Sequence, residues 1–145
     1  MRKILYFDDE PFISKALANH LELFDWDVTL VSEIDELFEK LSNNDYSLLI
    51  LDVMAPIPDM KNTHVSFSAD EIKEMDGGLN TCVVLAKKIW ATYKDLPILF
   101  LSARRISTIS QLSPLYKYEY IRKPELAKTI NDKLLQLLSS NNDVK

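Results

Sequence analysis

Short runs of large apolar residues alternate along the chain with segments in which apolar residues recur every three or four positions. The run Leu48–Leu51 contains four large apolar residues in succession, which is typical of a strand buried on both faces of a parallel sheet. Four further strands are predicted at residues 4–7, 28–31, 97–101 and 118–121. This alternation predicts a parallel sheet with helices packed on both of its faces.

The apolar positions between and after these strands predict helices with beginnings near Pro11, Ser32, Leu79 and Leu126. In the first helix, six residues are expected to lie on or beside one apolar stripe: Ile13, Ala16, Leu17, His20, Leu21 and Phe24. Ser32 and Asp35 match a capping box at the start of the second helix. Residues 104–114 have only weak helical character.

Strands that alternate with helices and follow right-handed crossovers build a doubly wound α/β domain. We expect a five-stranded parallel sheet of flavodoxin-like strand order 2-1-3-4-5, with helices on both faces. With 145 residues and 47% hydrophobic content, the chain suits one domain, predicted over residues 1–138. Residues 139–145 are predicted to be a frayed tail.

Charge and composition narrow the possible functions. A net charge of -5 argues against general attraction to nucleic acid or to an anionic membrane, so we expect no direct nucleic acid or membrane partner. The apolar runs are too short to cross a bilayer and the N-terminal residues do not resemble a secretory signal, which predicts a cytoplasmic protein. Cys82 is the only cysteine, which rules out an internal disulfide and a cysteine-based metal cluster.

Polar residues follow the predicted strands at the edge where ligands bind in open α/β sheets. Asp8 and Asp9 follow the first strand, Asp52 the third, Ser102 the fourth and Lys123 the fifth. Three neighbouring carboxylates repel one another unless a cation is bound, and an oxygen-only ligand set favours Mg2+ (or Mn2+) over zinc. A carboxylate can also accept a phosphoryl group, which a lysine and a serine hydroxyl would help to hold. The sequence therefore predicts phosphoryl transfer to Asp52.

Each of these residues also has a simpler explanation. Asp8 and Asp9 would be favourable at the start of a helix, Lys123 could be a solvated surface residue and Ser102 an ordinary turn residue. It is their joint occurrence, each at the end of a different strand, that favours a common site.

Four motifs resemble the response-regulator receiver domain of two-component signalling: Phe7–Pro11, Leu51–Pro56, Leu101–Ala103 and Tyr120–Pro124. The resemblance covers nearly the whole chain. The sequence ends just after the last predicted helix, so we expect either a stand-alone receiver or a receiver cut from something larger. The resemblance implies a cis peptide bond between Lys123 and Pro124, an isomer that proline makes accessible.

The same resemblance implies a role for each residue at the site. Asp52 would be the phosphoacceptor, Asp9 a direct metal ligand and Asp8 a ligand through water. The backbone carbonyl of Met54 would be a further metal ligand, and Lys123 would pair with the phosphate. Ser102 and Tyr120 would be the switch hydroxyl and the switch aromatic residue. The side chains of Met54 and Arg104 would modulate how fast the phosphoryl group is lost.

The chain departs from the receiver pattern in two places. An insertion of about residues 57–76 follows the third strand, and within it Ser68 and Glu71 predict a capping box and a short helix near 69–75. The insertion is interpreted either as a lid or partner contact beside the site, or as a tolerated surface excursion. Residues 112–117 replace the Gly-Ala pair that receivers usually carry before the fifth strand.

The sequence thus predicts a phosphorylation-dependent switch. The phosphodonor would be a sensor histidine kinase or a phosphotransfer protein, and an unknown downstream protein, or a second copy in a homodimer, would respond. Such a protein is not a conventional enzyme, since it catalyses only its own phosphorylation and dephosphorylation. The alternative is a receiver-fold interaction module that takes no phosphate. An aspartate-nucleophile phosphatase is disfavoured by Met54, and a flavin carrier by the acids after the first strand.

Overall fold

A five-stranded parallel sheet in the order β2-β1-β3-β4-β5 lies at the centre of the computed structural model, which describes residues 2–52, 56–103 and 107–139. The strands are β1 Arg2–Phe7, β2 Trp26–Val31, β3 Leu48–Asp52, β4 Ile98–Ser102 and β5 Tyr118–Arg122. All neighbouring pairs are parallel. The predicted fold class and strand order are therefore confirmed.

Helices connect and cover these strands. They are α1 Pro11–Glu22, α2 Ile34–Asn43, α3 Ala69–Glu74, α4 Thr81–Thr92 and α5 Ala127–Ser139. The described residues also contain two 3-10 segments, Asp76–Gly78 and Ser107–Gln111. The weakly helical stretch between β4 and β5 is thus a single short 3-10 segment in its described part. No described helix has both the length and the apolar character needed to cross a membrane. The tail that was predicted at 139–145 lies, apart from Ser139, outside the described residues.

Two apolar cores lie on opposite faces of the sheet, because successive strand residues point to opposite sides. One core joins the sheet to α2 and α4 and includes Leu5, Phe7, Leu49, Leu51, Phe100 and Trp90. The other joins the sheet to α1 and α5 and includes Ile4, Tyr6, Trp26, Ile50, Leu101 and Leu134. Every residue of β3 is buried, as the run of apolar residues predicted.

Helix α1 buries a different face from the one predicted. Ser14, Ala18 and Leu21 are buried against the sheet, whereas Ala16 and His20 are exposed. Both faces share Leu17 and Leu21, so the apolar spacing alone could not distinguish them. The buried Ser14 hydroxyl donates a hydrogen bond to Asp8, which lies just before the helix. This hydrogen bond is made on the face of α1 that is observed to be buried.

The insertion after β3 is folded against the domain at both of its ends. At its C-terminal end the predicted capping box forms, with the Glu71 amide donating to Ser68 Oγ (3.1 Å) and the Ser68 amide donating to Glu71 Oε1 (2.8 Å). Helix α3 is then tied to α4 by ion pairs of Lys88 with Glu71 (3.2 Å) and of Lys87 with Glu74. Lys88 also lies over the ring of Phe67, 5.1 Å from its centre.

At its N-terminal end the insertion is bound to α2 through Asp35. Thr63 Oγ1 donates to Asp35 Oδ1 (2.5 Å), and the His64 amide donates to both oxygens of the same carboxylate. The predicted capping box of Ser32 with Asp35 is therefore wrong. Glu33 stands at the N-cap of α2, and within the described chain its side chain makes no capping hydrogen bond. The Asp35 carboxylate instead accepts hydrogen bonds from Thr63 and His64, which lie 28 and 29 positions further along the chain.

The two glycines of the chain, Gly77 and Gly78, make the turn between α3 and α4. Their φ angles are 63° and 104°, which residues with a Cβ adopt at a cost in energy. The amides of Gly78 and Asn80 donate to the carbonyl of Met75, whose side chain is fully buried. This turn directs the chain from the insertion into α4.

Candidate functional site

The residues predicted to form a site meet at the carboxyl edge of the sheet. Asp52 is the last residue of β3, which lies between β1 and β4 in the sheet. Asp8 and Asp9 follow β1 directly, and Ser102 ends β4. Asp8, Asp52 and Ser102 are all buried, so their polar groups are held at the rim of the core.

Lys123 completes the site from the edge strand. Its Nζ lies 2.6 Å from Asp52 Oδ2, in an ion pair whose side chains are 28% and 13% exposed. The Lys123 amide donates to the carbonyl of Ser102 (2.7 Å), which fixes the backbone of the β5–α5 turn against the end of β4. The Lys123–Pro124 peptide bond is cis, as the resemblance to receivers implied. The cation therefore contacts the carboxylate that was predicted to accept a phosphoryl group.

Asp8 is held by two donors from the corner between β1 and α1. The amide of Glu10 donates to Oδ1 (2.9 Å), and the hydroxyl of Ser14 donates to Oδ2. Ser14 was not among the predicted site residues. The signal that could have revealed it is a polar residue on a helix face that otherwise buries apolar side chains.

Burial and the neighbouring charges make the ionised forms of Asp8 and Asp9 unfavourable. Burial, and after it the charge of Asp52, raises the pKa of Asp8 to about 6, despite its hydrogen bonds from Ser14 and Glu10. Burial also raises the pKa of Asp9, with further contributions from the charges of Asp52 and Glu10. A positive charge among these carboxylates would oppose both effects.

The chemistry of these residues suits a hard divalent cation. Among the described residues, no group of three or more His, Cys, Asp or Glu side chains is already arranged around a metal position. Mg2+ does not require one, since it usually keeps several waters and is held by one or two carboxylates together with phosphate oxygens. Asp9 and Asp52, with Asp8 behind them, offer ligands of this kind, so the donor set fits Mg2+. Met54, which was predicted to supply a carbonyl, lies outside the described residues.

The two predicted switch residues lie on neighbouring strands. Ser102 is fully buried at the end of β4. Tyr120 is half-buried on β5, opposite Phe100 in the sheet register, and packs against the core on the α2 and α4 face. The structure thus places both close to the edge that carries Asp52. Arg104, the second predicted modulating residue, lies outside the described residues.

The insertion forms one wall of a cleft next to the acidic residues. The cleft has a volume of about 380 Å³ and is lined by residues 56–59, 62 and 63 on the insertion side. Its other wall contains Phe7, Asp9 and residues 32–35. The insertion therefore lies beside the site rather than on a remote surface, although this position alone does not make it a lid.

No protein-family model and no curated protein matches the chain. Solved structures do: the response regulator TrrA of Thermotoga maritima, in complex with Mg2+ and BeF, is 26% identical over 95% of this chain and 100% of its own, with a TM-score of 0.67. TrrA in complex with the histidine kinase ThkA matches 95% of this chain and 99% of its own, with 23% identity and a TM-score of 0.66.

A third structure is a CheY-like response-regulator receiver domain protein of Methanospirillum hungatei. It is 18% identical, covers 100% of this chain and 99% of its own, and gives a TM-score of 0.73. These matches extend over almost the full length of both partners and agree with the sheet order. The chain therefore has the fold of a response-regulator receiver domain.

Proposed function

We propose that the protein is a phosphorylation-dependent signalling switch in which Asp52 accepts the phosphoryl group. The observation that carries this proposal is the contact between Asp52 and Lys123 at the end of the central strand, next to Asp8 and Asp9. An ion pair with only a structural role on the surface would not require Asp8 and Asp9 beside it. Burial and the charge of Asp52 disfavour the ionised forms of these two carboxyl groups, which is typical of a functional site.

The transfer follows from the chemistry of the side chains. An oxygen of the Asp52 carboxylate attacks phosphorus, the new P–O bond forms, and the bond from phosphorus to the donor breaks. When the donor is a phosphohistidine, the imidazole leaves. The Lys123 ammonium pairs with the negative charge that Asp52 and the incoming phosphoryl group share. The carboxylates of Asp9 and Asp52, with Asp8 acting through water, would hold Mg2+, which supplies a positive charge for the phosphoryl oxygens.

The phosphorylated state is read through Ser102 and Tyr120. The Ser102 hydroxyl would donate to a phosphoryl oxygen, and Tyr120 would change its packing on β5, so that the surface around β4 and β5 has two states. The protein then acts as a switch and catalyses only its own phosphorylation and dephosphorylation. Its donor is a sensor histidine kinase or a phosphotransfer protein, by analogy with TrrA, whose structure was solved in complex with the histidine kinase ThkA.

The direct test is the mass of the intact protein after incubation with Mg2+ and acetyl phosphate. The wild type is expected to gain one phosphoryl group, whereas Asp52→Asn gains none, because the amide is not a nucleophile for phosphorus. Asp45→Asn, which removes an exposed aspartate away from the site, is the matched control and should be modified like the wild type.

Absence of a mass increase in the wild type, together with no change in its NMR spectrum on adding Mg2+ and beryllofluoride, would contradict the proposal. The chain would then act as a receiver-fold interaction module that takes no phosphate. A mass increase that persists in Asp52→Asn would instead place the acceptor on another residue.

A further inference from the structure

Behind the acidic residues lies a small polar network on the face of the sheet that packs against α1. Ser14 is 2% exposed and Tyr6 is 1% exposed, within a core that is mainly apolar. The Ser14 hydroxyl contacts Asp8 Oδ2, and Tyr6 lines the same small cavity as Ser14. The three side chains connect the core to the carboxyl edge of β1.

The direction of each hydrogen bond follows from the groups involved. An ionised carboxylate only accepts, so the single proton of the Ser14 hydroxyl is donated to Asp8. With the Glu10 amide on Oδ1, each oxygen of Asp8 accepts one protein hydrogen bond and keeps lone-pair capacity for another partner.

We propose that Ser14 is a positioning residue for the Mg2+ site, and that it holds the Asp8 carboxylate in the orientation from which it binds a metal-bound water. This inference rests on the proposed function, because it assigns a support to the acidic residues named there. Ser14 touches neither the metal nor Asp52 in this scheme and acts only through Asp8. Groups that orient metal ligands in this way contribute strongly to metal affinity in other proteins.

The site of the hydroxyl allows a conservative test. Ser14 lines a cavity of about 200 Å³ together with Tyr6, Leu17 and Lys123, among other residues. Ser14→Thr adds one methyl group next to this cavity and keeps the hydroxyl that donates to Asp8. Ser14→Ala keeps the backbone and nearly the volume but removes the donor.

The experiment is a titration of the unphosphorylated protein with Mg2+, followed by the amide NMR shifts of Asp9 and Glu10. Ser14→Ala is expected to raise the dissociation constant for Mg2+ by roughly 10-fold or more, and Ser14→Thr to remain within about 3-fold of the wild type. Ser42→Ala, which removes an exposed serine hydroxyl bonded to a backbone carbonyl, is the control. With acetyl phosphate, the Mg2+ concentration for half-maximal phosphorylation of Ser14→Ala should rise while the maximal rate changes little.

The outcomes separate this inference from the proposed function. A wild type that binds no Mg2+ contradicts the proposed function itself. A wild type that binds Mg2+, with equal affinity in Ser14→Ala, overturns the role of Ser14 alone, as does a Ser14→Thr variant that binds as weakly as Ser14→Ala. If Ser14→Ala does not fold, Ser14→Cys takes its place: its thiol is only a weak donor to Asp8, and Mg2+ binding is expected to weaken by roughly 3-fold. Unchanged affinity in Ser14→Cys would then overturn the inference.

Discussion

At the scale of single residues, Asp8 combines burial with a nearby negative charge. Its carboxyl group holds a proton more readily in the folded than in the unfolded chain, because burial and Asp52 raise its pKa to about 6. The contribution of Asp8 to folding stability is therefore fully present below pH 4 and is lost as the pH rises through 6.

We expect Asp8→Asn to stabilise the metal-free protein at pH 7, by about 2 kcal/mol. The gain should shrink as the pH is lowered from 6 and disappear near pH 4, where the wild-type carboxyl group is itself neutral. Urea unfolding in the presence of EDTA, at pH 7 and at pH 4, measures this difference in the free energy of unfolding between Asp8→Asn and the wild type. Asp45→Asn changes the net charge equally at an exposed position and should show no such gain. Equal stability of Asp8→Asn and the wild type at pH 7 would contradict the electrostatic account.

The residues of the site differ in how far they could be predicted. Asp52 and Lys123 could be placed together from the sequence, because strand ends in a parallel sheet meet at one edge and opposite charges attract. Ser14 could not, since its importance depends on which face of α1 meets the sheet. Two faces fit the apolar spacing, and only the folded chain shows that the buried one carries this hydroxyl.

At the scale of elements, the strands and the capping box of α3 followed from local sequence, because strand patterns and helix caps involve neighbouring residues. The role of Asp35 did not. Its spacing from Ser32 matched a capping box, yet its carboxylate accepts hydrogen bonds from Thr63 and His64, which are distant in sequence. Contacts made by an insertion leave no periodic signal in the segment that receives them.

The attachment of the insertion to α2 should depend on pH. Hydrogen bonds from Thr63 and then from His64 lower the pKa of Asp35 below its usual value. The attachment is therefore complete above about pH 4 and is lost as the pH falls through this lowered pKa. Asp35→Ala is expected to remove it at neutral pH and to speed hydrogen exchange of the His64 amide, by roughly 10-fold.

The matched control is Glu36→Gln, which removes the neighbouring exposed charge on the same helix. Its His64 amide should exchange at the wild-type rate at pH 7. Unchanged exchange in Asp35→Ala would mean that the insertion is held by α3 and α4 alone, through the Lys87 and Lys88 ion pairs.

At the scale of the whole molecule, the two tryptophans report on opposite faces of one sheet. Trp26 lies in the core beneath α1 and α5, where its Nε1 donates to Asn131 (2.6 Å). Trp90, on α4, lies in the core between the sheet and helices α2 and α4. Its ring stacks on that of Tyr116, with the ring centres 4.4 Å apart, and its Nε1 donates to the carbonyl of Leu96 (2.8 Å). Both cores share β3, so neither should unfold while the other persists.

We expect Trp26→Phe and Trp90→Phe each to unfold in one transition, with tryptophan fluorescence and far-UV circular dichroism giving the same midpoint within each variant. Each replacement removes a buried hydrogen bond and should lower the free energy of unfolding by about 1–3 kcal/mol. Urea titration of the two variants provides the measurement. Midpoints that differ between the two probes in either variant would show that one face of the sheet unfolds independently.

The insertion lies in the chain between β3 and β4, so it separates the first three strands from the last two. Exposed Met60 and Lys61 lie in a turn held by Asp59, just before the residues Thr63 and His64 that attach the insertion to α2. A single backbone cut at this turn would leave β1, β2 and β3 with Asp52 in one fragment, and β4 and β5 with Lys123 in the other. The two fragments would meet along the β3–β4 pairing, and the contact between Asp52 and Lys123 would form only on reassembly. The insertion thus offers a place where this domain can be split into complementary halves, each carrying one of the two charges of the site.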